Sequence, residues 1–107
     1  MQALPALADP IRRQIVEMLA VRERDAGELA SAFAVSRPAV SRHLRVLRQA
    51  GLVRVRPEAQ RRVYVLDPRP LEDLSRWLDH YRGFWSQRLD ALETELARGR
   101  RQRQEGR

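Results

Sequence analysis

The sequence predicts a mainly α-helical domain with one small β-hairpin and a long C-terminal helix. Three observations carry that prediction. Apolar residues recur at helical spacings through residues 10–49, the pattern switches to alternating β-branched residues after Gly51, and a seam of leucines and aromatics at steps of three and four follows along residues 70–98.

Each element has a local reason. Residues 2–8 read as a short helix that stops at Asp9-Pro10, where Asp9 caps the next helix and Pro10 takes its first position, a place where a missing amide costs nothing. Over residues 10–22, Ile11, Ile15, Met18 and Leu19 line one face. Asp25-Ala26-Gly27-Glu28 is a capping box, and the helix it opens carries Leu29, Ala30 and Phe33 and is expected to end near Ala34. Ser36 caps a further helix over residues 36–49, with Pro38 tolerated in the first turn because an amide there has no intrahelical partner. Only Val35 and Ser36 are expected between these two helices, so the pair reads as a helix-turn-helix.

Gly51 supplies a C-terminal stop. Residues 52–56 and 62–66 are β-branched runs around a polar tip at residues 57–61, and together they read as a basic hairpin. Asp67-Pro68-Arg69-Pro70 breaks the chain, after which a helix over residues 70–98 would span roughly 43 Å at 1.5 Å per residue. Its apolar positions are Leu71, Leu74, Leu78, Tyr81, Trp85, Leu89, Leu92 and Leu96. Trp77 and Phe84 widen that stripe, so one surface is expected against its own domain and another against a second chain. Gly83 in mid-helix costs about 1 kcal/mol relative to alanine and is expected at a bend or a close approach. Residues 1–98 are therefore expected to form one domain, and residues 99–107, which contain no apolar side chain, a disordered basic tail.

A chain of 107 residues has room for one small core, which disfavours a large enzyme. Its 21 basic residues against 14 acidic ones give a net charge of +7, which calls for a polyanionic partner. All of the basic residues are arginine, the side chain able to grip guanine edges or phosphates with two parallel hydrogen bonds. The absence of cysteine excludes disulfides, thiolate zinc sites and thiol catalysis. With only His43 and His80 as imidazoles, no metal or other cofactor is expected. The first residues lack a charged segment followed by an apolar run, and no apolar stretch approaches the roughly 20 residues of a membrane span, so a cytoplasmic location away from the membrane is expected.

The residues that carry chemistry lie on the Ser36 helix. Advancing 100° per residue places Ala39, Val40, His43, Leu44, Leu47 and Ala50 on one arc and Arg37, Pro38, Ser41, Arg42, Arg45, Arg48 and Gln49 on the other. An apolar back holds such a helix to a core while the opposite face offers donors suited to base edges and phosphates. Taken alone, a charged face is ordinarily only solvated; the capped helix before it and the basic hairpin after it favour a reading helix. On the hairpin, Arg56, Arg61 and Arg62 are candidates for contact with the DNA backbone or minor groove, Arg61 and Arg62 before Arg56. Arg54 reads equally well as an outward strand residue. His43, on the apolar arc, is expected to be structural.

The run SRPAVSRHLRVLRQAGLV at residues 36–53, followed by RRVYVLDP at 61–68, closely resembles the ArsR/SmtB-type winged helix-turn-helix repressors. The resemblance covers residues 7–96, and its most specific part is Ser41-Arg42-His43-Leu44 with Ala50-Gly51-Leu52-Val53. It implies a homodimer that binds operator DNA and often releases it when an inducer binds, with DNA contacts by Ser36, Arg37, Pro38, Ser41, Arg42 and Arg45. The function expected is that of a sequence-specific regulator, a repressor on an inverted-repeat operator, with double-stranded DNA and a second copy of itself as partners. Leu78, Tyr81, Trp85, Leu89, Leu92 and Leu96 are the candidate dimerisation residues.

The chain departs from the metal-sensing members of that group. Where those carry a Cys-x-Cys pair, it has Asp25-Ala26-Gly27-Glu28-Leu29, and Asp79-His80 has no second histidine downstream. That departure leaves the inducer open, as a small molecule of unknown identity. Trp77, Tyr81, Phe84 and Trp85 admit two readings, a small-molecule pocket or plain packing in a dimer core, and packing is the more ordinary. A competing function is a winged-helix protein-interaction adaptor without DNA readout, which has no need of a basic arc and a basic wing. No nucleophile and base with a defensible geometry, and no glycine-rich phosphate loop, point to an enzyme.

Overall fold

The computed structural model describes residues 2–105. The elements in order are α1 (Ala3–Ala6), α2 (Pro10–Val21), β1 (Arg24–Asp25), α3 (Ala26–Ser31), α4 (Arg37–Gln49), β2 (Val53–Glu58), β3 (Arg61–Leu66) and α5 (Arg69–Glu105). The chain divides into two compact units, one up to Leu74 and the other from Ser75 onward, with α5 beginning in the first and continuing through the second.

The helix starts follow the local chemistry. The Asp9 carboxylate accepts the amides of Ile11 at 2.8 Å and Arg12 at 3.2 Å with Pro10 in the first turn of α2. Asp25 accepts the Glu28 amide at 2.8 Å while the Glu28 carboxylate receives the Asp25 amide at 3.4 Å, which completes the capping box of α3. Ser36 Oγ accepts the Ala39 amide at 3.3 Å at the head of α4. Gly51, at φ +76, ends α4 in the left-handed region where a side chain is strained, and the next amide, Leu52, bonds back to Leu47 O at 3.0 Å.

In the first unit these elements bury a single core built on Ile15, Leu29, Leu47 and Leu52, with Leu19, Val40, Leu44, Val53 and Tyr64 around them. The sheet is antiparallel in the order β1-β3-β2. Arg24 pairs with Tyr64 on one side of β3, and on the other Val55 pairs with Tyr64 and Val53 with Leu66.

Four expectations are corrected. The helix before the turn ends at Ser31 rather than near Ala34, because the Ala32 amide bonds three residues back to Leu29 O and tightens the last turn. Phe33 then packs on the core from the turn itself, so the connection to α4 spans residues 32–36 instead of two residues. The hairpin tip shrinks from five residues to Ala59 and Gln60, since the ladder runs on to pair Pro57 with Arg62 and Glu58 with Arg61. Pro57 is compatible with this because β2 is an edge strand.

The third correction is β1, an unexpected strand whose two residues are too few to show a period in sequence. The fourth concerns the tail: residues 99–105 continue α5 instead of being disordered, and residues 106–107 lie outside the described residues. Arginine and glutamine are good helix formers, an established helix propagates easily, and Arg100 and Arg103 each donate through Nε to the carbonyl four residues back, on Leu96 and Gly99. Gly83 lies inside the unbroken α5, and a Cβ built there meets nothing within 4 Å in the chain.

Asp67 joins the sheet to the start of α5. Its amide bonds Leu52 O at 2.8 Å, and its carboxylate, on a residue 4% exposed, accepts the Arg69 amide at 3.1 Å and the Arg69 Nη2 at 2.7 Å and forms an ion pair with Arg54 Nε at 3.2 Å. The Arg69 side chain above all, then the Arg69 amide and the charge of Arg54, bring the carboxyl down to about 2 from the ordinary 3.8. A value depressed in the folded state means that this group contributes stability fully above about pH 4 and loses it as the pH falls toward 2. Asp67→Asn should therefore flatten the fall of the melting temperature between pH 4 and pH 2, read by circular dichroism; a variant with the wild-type acid limb would show that the carboxylate is not what responds.

Candidate nucleic-acid interface

The thirteen residues of α4 divide as the helical wheel requires. Val40, Leu44 and Leu47 are buried on the core side, with Ala39, His43 and Val46 half-buried at its margins. Ser36, Arg37, Pro38, Ser41, Arg42 and Arg45, all the residues assigned to DNA contact on this helix, are exposed, as are Arg48 and Gln49. His43 is held at the edge of the core. Its Nδ1 lies 3.3 Å from Arg12 Nη1 and 3.9 Å from Asp9 Oδ1. Arg12 donates from Nε to Ala6 O at 2.7 Å, so it ties α1, α2 and α4 together.

What distinguishes α4 is the state of its arginines. Outside it, five arginines of the first unit are paired with carboxylates, Arg22 with Glu28, Arg54 and Arg69 with Asp67, Arg56 with Glu23, and Arg61 with Asp25, whereas Arg13, Arg24 and Arg62 have no carboxylate partner among the described residues. On α4, the guanidinium groups of Arg37, Arg42, Arg45 and Arg48 have no ion pair and no hydrogen bond among the described residues. The cause is already in the chain, which has no acidic residue between Glu28 and Glu58. Four uncompensated cations on one short helix repel one another, and a polyanion relieves that repulsion.

The wing arginines do not share one fate. Arg56 grips Glu23 with two bonds, Nη1 at 3.1 Å and Nη2 at 2.8 Å, and reaches Glu58 at 3.3 Å. Arg61 grips Asp25 Oδ2 through Nε at 3.1 Å and Nη2 at 2.8 Å, on the same carboxylate that caps α3. These contacts hold the Glu23 and Asp25 carboxyls below their ordinary values, Glu23 chiefly through its bond from Arg56 and Asp25 chiefly through the Glu28 amide and then Arg61. Arg62, on the opposite face of β3, is exposed and has no side-chain partner among the described residues. Sequence reasoning missed Glu23 and Asp25 as anchors of the wing, because their role depends on the pairing of β1 with β3.

In the second unit, Leu78, Tyr81, Trp85, Leu89, Leu92 and Leu96 are between 38% and 58% exposed. The Trp77 and Tyr81 rings meet tilted at 55° with centroids 4.9 Å apart, and Arg88 lies over the Phe84 ring at 4.3 Å. No three His, Cys, Asp or Glu side chains gather as a metal site among the described residues, and no described helix is long and apolar enough to cross a membrane.

Comparison with known proteins gives one consistent answer. The family model described as "Bacterial regulatory protein, arsR family" matches residues 9–55, from the head of α2 to the start of the wing. The chain is 52% identical to the HTH-type transcriptional regulator Rv2034 of Mycobacterium tuberculosis, over 82% of this chain and 79% of that one. It is 34% identical to the transcriptional repressor SdpR of Bacillus subtilis, over 68% of this chain and 81% of that one. Among solved structures it is similar to one described as a possible transcriptional regulator for arsenical resistance, with a TM-score of 0.69 and 41% identity, covering 76% of this chain and 84% of the other.

Because Arg61 is engaged and Arg62 is free, the two should be separable. Arg61→Ala should accelerate amide exchange at Asp25 and Val63 and in the first turn of α3, whereas Arg62→Ala should leave those amides as protected as in the wild type. Equal protection in both variants would mean that the ion pair with Asp25 does not hold the wing.

Proposed function

The chain belongs to the ArsR family of bacterial regulatory proteins, which are transcriptional regulators and not enzymes, and from that premise we propose that it is a sequence-specific DNA-binding repressor that acts in the cytoplasm as a homodimer on an inverted-repeat operator. The observation that carries the proposal is the set of unpaired arginines on α4 within an acid-free stretch of chain. An adaptor that docks proteins through the same fold has no use for four cations without counter-charges, while a helix entering a major groove does.

At 1.5 Å per residue α4 is about 20 Å long, and its diameter suits a groove roughly 12 Å wide. Ser36, Arg37, Pro38, Ser41 and Arg42 lie on its leading half, with Arg45 behind them, and they supply base-edge and phosphate contacts. Arg62 reaches the backbone from the wing, while Arg56 and Arg61 set where the wing stands. The exposed seam of α5 pairs with the same seam of a second copy, since apolar side chains repeated at steps of three and four suit a helix of like pattern. A dimer places two copies of α4 on half-sites whose centres are one helical turn, about 34–36 Å, or a multiple of it apart.

Sequences selected from random DNA by the purified protein should form an inverted repeat. On the selected operator Arg42→Ala should cost about 1 to 3 kcal/mol and relax the preference at one base position, measured by fluorescence anisotropy. Wild-type affinity and preference in Arg37→Ala, Arg42→Ala and Arg45→Ala alike would remove α4 as the reader. Separately, the double variant Leu89→Glu with Leu92→Glu should sediment as a monomer; an unchanged dimer would place the contact elsewhere.

A further inference from the structure

Behind the leading half of α4 an open cleft of about 480 Å³ separates the helix from β2, lined by Arg45, Arg48, Gln49, Val53, Arg54 and Val55. We propose that this cleft seats one phosphate of the DNA backbone, held by Arg48 and Arg54 with Arg45 beside them, as a contact separate from both the base-reading residues and the wing tip. The proposal rests on α4 being the reader.

Four observations support it. The lining residues include three arginines and an amide and no carboxylate, so the cleft is a site for an oxyanion. Arg45 and Arg48 are three residues apart, hence neighbours on one face of the helix, and neither guanidinium has a partner among the described residues. Arg54 stands on the other wall, its Nε in ion-pair range of the buried Asp67 carboxylate at 3.2 Å, while its side chain is 63% exposed and makes no hydrogen bond among the described residues. Finally, Val53 and Val55 complete the lining with apolar side chains, which offer the arginines no competing acceptor.

The position favours a backbone phosphate over a base. Arg48 stands about one and two-thirds turns beyond Arg42 along α4, about 9 Å at 1.5 Å per residue, so when the leading half lies against base edges the trailing half meets the groove wall, where the phosphates run. Inorganic phosphate presents the same oxygens without the flanking contacts of a DNA backbone, and the test separates the two sources.

The full chain is titrated with its selected operator at several salt concentrations. Arg48→Ala and Arg54→Ala should each weaken binding about five- to tenfold, the worth of one charge-assisted hydrogen bond in an open site. Each should lower the slope of log affinity against log salt by about one. The selected base preference should stay unchanged, and Arg48→Lys should keep the slope. When single phosphates of a half-site are replaced in turn by neutral methylphosphonates, one position should exist at which Arg48→Ala loses nothing further. Arg54→Ala also breaks the pair with Asp67, so its melting is recorded; Arg48, which has no partner to lose, is the deciding variant.

Wild-type affinity and slope in Arg48→Ala would overturn the seat, as would a changed preference at one base, or a loss that persists at every methylphosphonate. Replacing chloride by inorganic phosphate at constant ionic strength should produce no saturable shift of the Arg48 side-chain resonance in the free protein. Saturable binding abolished in Arg48→Ala, with DNA affinity intact, would mean a free-anion site instead. A wild-type chain that selects no DNA sequence removes the reading of α4 and the seat with it, whereas a selected operator with silent Arg48 and Arg54 variants removes the seat alone.

Discussion

Burial of the apolar back of α4 is the constraint from which the rest of the first unit follows. A helix of thirteen residues is marginal by itself in water, so α4 persists because Val40, Leu44 and Leu47 are driven into the core with Leu52 closing its end. Fully burying an aliphatic side chain is worth about 1.5 to 3 kcal/mol, enough for these residues to hold a helix whose other face is all repulsion. The same burial decides which side chains are exposed. Once Val40, Leu44 and Leu47 face inward, Arg37, Ser41, Arg42, Arg45 and Arg48 have nowhere to go but outward.

Counter-charge is distributed in a way that respects this division. Glu23, Asp25, Glu28 and Asp67 all lie outside α4, and each is bonded to an arginine that is likewise outside it. The carboxylates therefore fix the wing and the start of α5 without neutralising the helix. Asp25 is the clearest case, for one carboxylate caps α3 and anchors Arg61, which ties the first helix of the helix-turn-helix to the position of the wing. Exposed ion pairs of this kind contribute little to global stability, and their value lies in geometry.

The second unit poses the opposite problem. From Leu78 to Leu96, α5 exposes large apolar side chains at 38% to 58%, at an unfavourable solvation cost. Beyond that seam the helix is polar and continues on propensity and on arginines that bond back to carbonyls. Apolar content marks where a helix needs a partner, and the polar turns that follow show that it is a poor guide to where a helix stops.

The sequence by itself determined whatever depends on residues within about four positions of one another. The caps at Asp9, Asp25 and Ser36, the stop at Gly51, the two arcs of α4 and the strands of the hairpin were all legible, because capping, helical periodicity and alternation act over that range, and the family was legible from the resemblance of residues 36–53 and 61–68. Tertiary structure alone decided the rest. The strand β1 exists only because β3 offers it a ladder, and the wing tip narrows to Ala59 and Gln60 because Glu58 pairs with Arg61. Arg56 and Arg61 differ from Arg62 only because Glu23 and Asp25, 33 and 36 residues away, fold beside them. Nothing in three basic positions of one hairpin reveals which will meet a carboxylate, since a Coulomb attraction depends on distance in space and the sequence records only distance along the chain.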